Sequence, residues 1–154
     1  MGSAYGRYLE GFQAGEMIKH EPAKTITESD NNLFCLLTMN HHPLHLDQTY
    51  AEGTEFGRRV VVGTLVFSLV VGLTVRDISG KAIANLDYES IQHAAPVFIG
   101  DTIRAETEIL NVRRSRSKPD RGIVRVQTSA YNQKNQLVLT FIRNVLIPVG
   151  VSSE

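Results

Sequence analysis

A chain of 154 residues, 42% of them hydrophobic, suits one globular domain with its own core and is short for two. Its 16 basic and 16 acidic residues cancel, which excludes a general polyanion binder, so neither a nucleic-acid nor a membrane partner is expected. The single cysteine, Cys35, excludes an intramolecular disulfide framework and is expected to be a buried, inert thiol in a reducing compartment.

Residues 1–16 mix Tyr, Arg, Glu and Gly without the apolar run of a secretory leader, so a cytoplasmic location is expected. Residues 21–26 predict a first strand. Thr27-Glu28-Ser29-Asp30 then supplies capping residues and early acids for a short helix through Leu37. Pro43 interrupts whatever follows, residues 47–55 predict another short helical turn, and Gly57 marks a bend. Residues 60–75 read VVVGTLVFSLVVGLTV, apolar apart from Thr64, Ser68 and Thr74 and bounded by Arg58-Arg59 and Arg76-Asp77. A bilayer span needs about 20 residues. The run therefore predicts a helix buried on nearly all sides within a core.

From Ala82 the period changes. Residues 82–92, 102–113, 122–132 and 137–147 are rich in Val, Ile, Thr, Tyr and Leu and several alternate, which predicts strands. Pro96 with Gly100-Asp101, Pro119-Asp120-Arg121-Gly122 and Asn132-Gln133-Lys134-Asn135 supply the turns between them. One long antiparallel sheet follows, and a sheet with one solvated face must bury the other. The apolar helix of residues 60–75 is the partner available. This is an α+β hotdog fold, and the lack of an internal repeat makes it a single one over residues 1–154.

Several segments resemble one family in order and spacing. They are Tyr8-Leu9-Glu10-Gly11-Phe12-Gln13-Ala14-Gly15-Glu16, Thr25-Ile26-Thr27-Glu28-Ser29-Asp30, Phe56-Gly57-Arg58 with Val62-Gly63-Thr64-Leu65, and Ala95-Pro96-Val97-Phe98-Ile99-Gly100-Asp101-Thr102. With the loop Thr38-Met39-Asn40-His41-His42-Pro43-Leu44-His45-Leu46-Asp47, they are similar to the MaoC-like, or (R)-specific enoyl-CoA hydratase, family. The loop signature of that family reads Gly-Asp-x-Asn-Pro-(Leu/Ile/Val)-His. Pro43, Leu44 and His45 match it, whereas Asn40 replaces the Asp and His42 replaces the Asn. The Met-Asn-x-x-Pro-Leu-His-Leu-Asp form is similar to a subgroup associated with mesaconyl-CoA and β-methylmalyl-CoA hydration.

The resemblance implies a hydratase or dehydratase of 2-enoyl-CoA thioesters, with coenzyme A as part of the substrate and no metal or redox cofactor. His45 would transfer protons, because an unperturbed imidazole titrates near neutrality. Asn40 would hold a water, although an amide cannot serve as a base. The Gly63 N–H, at the start of the apolar helix, would polarise the thioester oxygen. Pro43, Leu44 and Thr64 stand beside these as candidate substrate contacts, and Arg114, Arg116 and Lys118 as candidate partners of the coenzyme A phosphates. Strand alternation is expected to place Arg114 and Arg116 on one face.

Bland readings stand beside each of these. His45 bonded to a backbone carbonyl, Asn40 filling the turn before Pro43, Gly63 present for close packing, and a solvated basic turn all fit the sequence. His41 and His42 read as loop residues, Asp47 as a further candidate acid, and His20 and His93 receive no role. Three histidines at close spacing suggest zinc, but Pro43 breaks the register that would converge them, so no metal is expected. A weakly catalytic acyl-CoA-binding or regulatory hotdog and a hotdog thioesterase remain as alternatives. The resemblance also implies a homodimer or a dimer of dimers.

Overall fold

Alternation of apolar and polar side chains gives four long strands in the computed structural model, which describes residues 5–150. They are β3 (Ala84–His93), β4 (Thr102–Arg114), β5 (Arg121–Tyr131) and β6 (Leu137–Pro148), and their limits follow the sequence expectation closely. Two short strands come first, β1 (Met17–Lys19) and β2 (Lys24–Thr25), each antiparallel to β4. The order across the sheet is β1-β4-β5-β6-β3, so β3 is an edge strand. The strand expected over residues 21–26 shrinks to Lys24–Thr25, since Pro22 has no N–H to give a ladder.

A capping box opens α1 (Glu28–Thr38): Thr27 Oγ1 accepts from the Asp30 N–H and the Asp30 carboxylate accepts from the Thr27 N–H. It closes at Met39, whose φ of +59° lies in the left-handed region, at the position where the family signature has glycine. Pro43 does not break a helix. It occupies the first position of α2 (Pro43–Leu46), where the missing N–H has no role to fill. Asp47 caps α3 (Gln48–Glu52) by accepting from the Tyr50 N–H.

The apolar segment forms α4 (Gly63–Thr74) and runs on through a π turn (Val75–Ser79). Val66, Val70, Thr74 and Ile78, four residues apart, make its buried stripe. The opposite stripe of Thr64, Ser68 and Gly72 is exposed, which corrects the expectation of burial on nearly all sides. A helix laid on one sheet covers one face, and among the described residues no further layer covers the exposed stripe. Among the described residues no helix is long and apolar enough to cross a membrane. The long antiparallel sheet around a central helix is the hotdog architecture of the α+β class.

The core has two apolar clusters. One holds Val61, Val66, Val70, Val97, Ile103, Leu139 and Phe141, the other Leu9, Ile78, Ile109, Val124, Val126, Val145 and Ile147. Each such side chain is worth about 1.5–3 kcal/mol when fully buried. Between the clusters a polar layer interrupts every inward row: Thr107 between Ala105 and Ile109, Thr128 between Val126 and Ala130, Arg143 between Phe141 and Val145, and Thr74 between Val70 and Ile78. Arg143, 1% exposed, donates to Thr74 Oγ1 at 2.7 Å and to Asn85 Oδ1 at 3.2 Å.

His20 joins this layer. Its Nδ1 lies 2.7 Å from Asp77 Oδ2 and its Nε2 2.7 Å from Thr107 Oγ1, which in turn meets Thr128 Oγ1 at 2.8 Å. A carboxylate only accepts, so Nδ1 carries the proton and Nε2 accepts from the threonine. Burial lowers the affinity of His20 for a second proton more than Asp77 raises it. The unfolded imidazole protonates at about 6.5, and the folded one at lower pH. The unfolded state therefore binds more protons between those values, and stability falls as pH drops below about 6.5. Thermal unfolding of H20Q is expected to depend less steeply on pH between 7 and 5 than that of the parent. Equal slopes would show that His20 is not the group responsible.

Candidate active site

Helix α1 sets the site through one buried amide. Asn31, which shares the inward side of α1 with Cys35 one turn later, donates from Nδ2 to the His45 carbonyl at 3.1 Å. Its Oδ1 accepts from the Val62 N–H, also at 3.1 Å. One side chain thus ties α1 to α2 and to the residue before α4. Leaving either group unpaired in this buried place would cost about 1–3 kcal/mol. Cys35 itself is fully buried, and burial pushes its thiol up, away from reactivity.

The short helix α2 then presents His45. Its Nδ1 lies 2.6 Å from the Val60 carbonyl oxygen. A carbonyl only accepts, so Nδ1 bears the proton and Nε2 keeps its lone pair. The backbone carbonyl bond foreseen as the bland reading of His45 is present, and it serves to orient the ring. His42 has a structural task that its sequence position hides. As the cap of α2, its Nδ1 accepts from the Leu44 N–H at 3.1 Å, the bond an Asn at that position would make. Its ring also lies 5.9 Å from that of His45, centre to centre.

Asn40 takes the turn-filling arrangement. Its Oδ1 accepts weakly from the His42 N–H at 3.4 Å, and it does not line the cavity that His45 faces. That cavity, about 330 Å³, is walled by His45, Phe56, Val60, Gly63, Val66 and His93, with the chain from Ala94 to Val97 and Val138 completing it. A short β-bridge between Val60 and Phe98 and the 2.8 Å bond from the Val61 N–H to the Val97 carbonyl hold the two sides together.

Gly63 is the first residue of α4. The preceding Val62 offers no side-chain cap, and the amides of Leu65 and Val66 turn back to the Val62 carbonyl. The amides available to an incoming oxygen at this end are those of Gly63 and Thr64, at the positive pole of the helix. A Cβ on Gly63 would meet the His93 ring at 3.0–3.4 Å, so the absence of a side chain leaves a tight space. The structure thereby brings His45, Gly63 and the unforeseen His93 to one cavity.

Other sequence candidates fall elsewhere. Pro43 and Leu44 form the first turn of α2, and the Leu44 carbonyl accepts from the Val60 N–H at 3.2 Å, without lining the cavity. Thr64 points to the exposed side of α4. Arg114 ends β4, while Arg116 and Lys118 lie in the turn beyond it, so alternation cannot align Arg114 with Arg116. All three sit at the opposite end of the sheet from His45. The β6 residues beside the two ends, Leu139 and Pro148, are separated by about 30 Å at the usual strand rise. Arg58, stacked on the Phe98 ring at 3.7 Å, is carried on the same segment as Phe56 and Val60 and is the basic side chain that the sequence reading passed over. Among the described residues no group of three His, Cys, Asp or Glu converges as a metal site. A larger recess of about 570 Å³ lined by Lys19, His20, Arg76 and Arg104 adjoins β1 and shares no residue with the His45 cavity.

The chain is similar to known proteins over most of its length. The chain is 34% identical over 142 residues to a mesaconyl-CoA hydratase of Cereibacter sphaeroides, across 92% of this chain and 41% of that protein. It is also 34% identical over 115 residues to an (R)-specific enoyl-CoA hydratase of Aeromonas caviae, across 75% of this chain and 81% of that protein. A solved MaoC domain protein of Chloroflexus aurantiacus superposes with a TM-score of 0.93 at 31% identity, over 100% of this chain and 44% of that one. The chain therefore spans about two fifths of the length of the mesaconyl-CoA hydratase it matches. The MaoC like domain is matched over residues 11–132, and the chain belongs to that family.

Proposed function

We propose that the protein adds water reversibly to the double bond of a 2-enoyl-CoA thioester, acting as a lyase. The observation that carries this reading is one cavity holding both an oriented His45 and the open first turn of α4 at Gly63. Nε2 of His45 takes a proton from water as the oxygen attacks the β-carbon. The Gly63 N–H meets the negative charge that gathers on the thioester oxygen. The Asn40 amide, which stands where the family has its acid, lies off this cavity in the turn before α2 and takes no proton. The mesaconyl-CoA hydratase relative favours a short, branched or dicarboxylic acyl group. No metal or redox cofactor enters this chemistry.

A second copy is part of the proposal. Strand β3 is a ten-residue edge with Leu86, Tyr88 and Ile91, and Ile83 just before it, between 38% and 48% exposed, and the Thr64-Ser68-Gly72 stripe of α4 is open as well. An unpaired apolar edge of that length invites a matching strand, and a homodimer would cover it. Arg58 and Arg59, or the partner's basic turn of Arg114, Arg116 and Lys118, would then receive the coenzyme A phosphates. The buried Cys35 is in keeping with a cytoplasmic setting. A thioesterase would need a carboxylate facing the thioester, and among the described residues none lines this cavity.

The test mixes purified protein with crotonyl-CoA and mesaconyl-CoA and follows loss of enoyl absorbance, with a thiol reagent recording any release of coenzyme A. Hydration without thiol release is expected. Thiol release alone would replace this reading with the thioesterase, and binding without turnover would replace it with an acyl-CoA-binding protein.

A further inference from the structure

The geometry points to His93 as a second proton-carrying residue of this site, acting on the thioester side of the substrate while His45 acts on the water. This inference rests on the hydratase reading above and supplies the group that Asn40 cannot.

The placement of His93 depends on an irregularity in β3. Inward positions of that strand are fixed by its pairing with β6, whose Leu139, Phe141, Arg143 and Val145 face α4. Tyr88 pairs with Arg143 and is inward, its ring packed edge-on against Phe67 of α4 at 4.9 Å. Strict alternation from Tyr88 would send residues 90 and 92 inward and His93 outward. Between Glu89 and Gln92, however, β3 gains one residue over β6, with Ser90 at φ +52°. The bulge reverses the alternation, and His93 pairs with Leu139 on the inward face.

There the imidazole lies against the Gly63 backbone, close enough that a Cβ at Gly63 would sit 3.0 Å from its Cε1 and 3.1 Å from its Nε2. The ring is exposed on one side, and the residues that share its cavity wall are apolar apart from His45 of α2: Gly63 and Val66 of α4, Val138 of β6, and Ala94 to Val97 of its own segment. Of the residues lining the cavity, His45 and His93 alone carry a side chain able both to take and to give a proton. No hydrogen bond within the described residues holds the His93 ring, so both nitrogens can serve a substrate bound at the Gly63 amide.

The step balances with no outside reactant. Neutral His45 removes a proton from water, the oxygen bonds to the β-carbon, and the electron pair of the double bond moves toward the α-carbon and thioester oxygen. Protonated His93 then gives its ring proton to the α-carbon, forming the C–H bond of the 3-hydroxyacyl product. His45 leaves the turnover protonated and His93 neutral, and exchange with solvent resets both. Dehydration runs the same transfers backward.

Two variants separate this role from its neighbours. H93Q keeps a hydrogen-bond donor but cannot transfer a proton, and H93F keeps ring volume without a polar atom. With parent activity on an enoyl-CoA established, both are expected to lower kcat by about 10² or more with KM within about threefold. Both should also remove one limb of the pH profile of kcat while the circular dichroism spectrum stays that of the parent. H93Q with parent kcat and both limbs intact would overturn proton transfer by His93, and so would an unchanged H93F. A parent protein inactive on every enoyl-CoA would instead remove the hydratase reading and this inference together.

Discussion

H45Q is expected to lower kcat for hydration of crotonyl-CoA or mesaconyl-CoA by about 10²–10⁴, the usual worth of a positioned acid-base group, with little change in KM. The argument rests on what holds the ring. His45 Nδ1–H donates to the Val60 carbonyl at 2.6 Å, and the His45 carbonyl accepts from Asn31, so ring and backbone are each held by a bond of their own. A glutamine at this position can donate to the same carbonyl and preserve the link to Val60, but it cannot accept a proton from water. The variant should therefore fold with a melting temperature near the parent's. Initial rates from enoyl absorbance give kcat, and a loss of less than about tenfold would mean that another group takes the water's proton. Asn40 offers no substitute, because its oxygen is turned to the His42 N–H and its amide is not basic.

Much of this architecture is legible in the sequence because each signal there is local. The limits of β4, β5 and β6 follow from period-two alternation that a solvated sheet face enforces, and α1 from the Thr27 and Asp30 pair. His45, singled out by the loop motif, lies on the cavity wall, although the short helix that carries it is not expected after Pro43. What escapes the sequence depends on register between distant segments. His93 looks outward if β3 is read as a regular strand, and only the extra residue between Glu89 and Gln92, measured against β6, turns it to the cavity. Arg116 looks aligned with Arg114 until the strand is seen to stop at Arg114. Asn31 is one polar residue in a helix, and its bonds reach His45 and Val62, 14 and 31 positions away. His42 shows the converse. It departs from the family motif in residue type yet keeps the capping bond, because an imidazole nitrogen accepts where an amide oxygen would.

G63V is expected to lower kcat/KM by about 10²–10³ on the same substrates, through two effects that act at one backbone position. The first is steric. Even a single Cβ at Gly63 would lie 3.0 Å from the His93 ring, and the two further methyl groups of valine project into the space an acyl thioester must enter. The His93 ring is exposed, so it can move aside for one carbon, and G63A is expected to show the smaller loss. The second effect is electrostatic. The Gly63 amide belongs to the first turn of α4, where the Val62 side chain supplies no cap and the helix pole is open to a developing oxyanion. Valine keeps the amide N–H, so this contact is lost only because the thioester is held away from it, and the loss of one such contact costs about 10²–10³ in rate. A β-branched residue at the first helical position does not disturb the helix bonds beyond it, because Leu65 and Val66 bond to the Val62 carbonyl rather than to residue 63. The variant should unfold at nearly the parent temperature, which distinguishes a blocked site from a damaged fold. Parent-like kcat/KM in G63V would place the thioester away from this helix end and leave the glycine with a packing role alone.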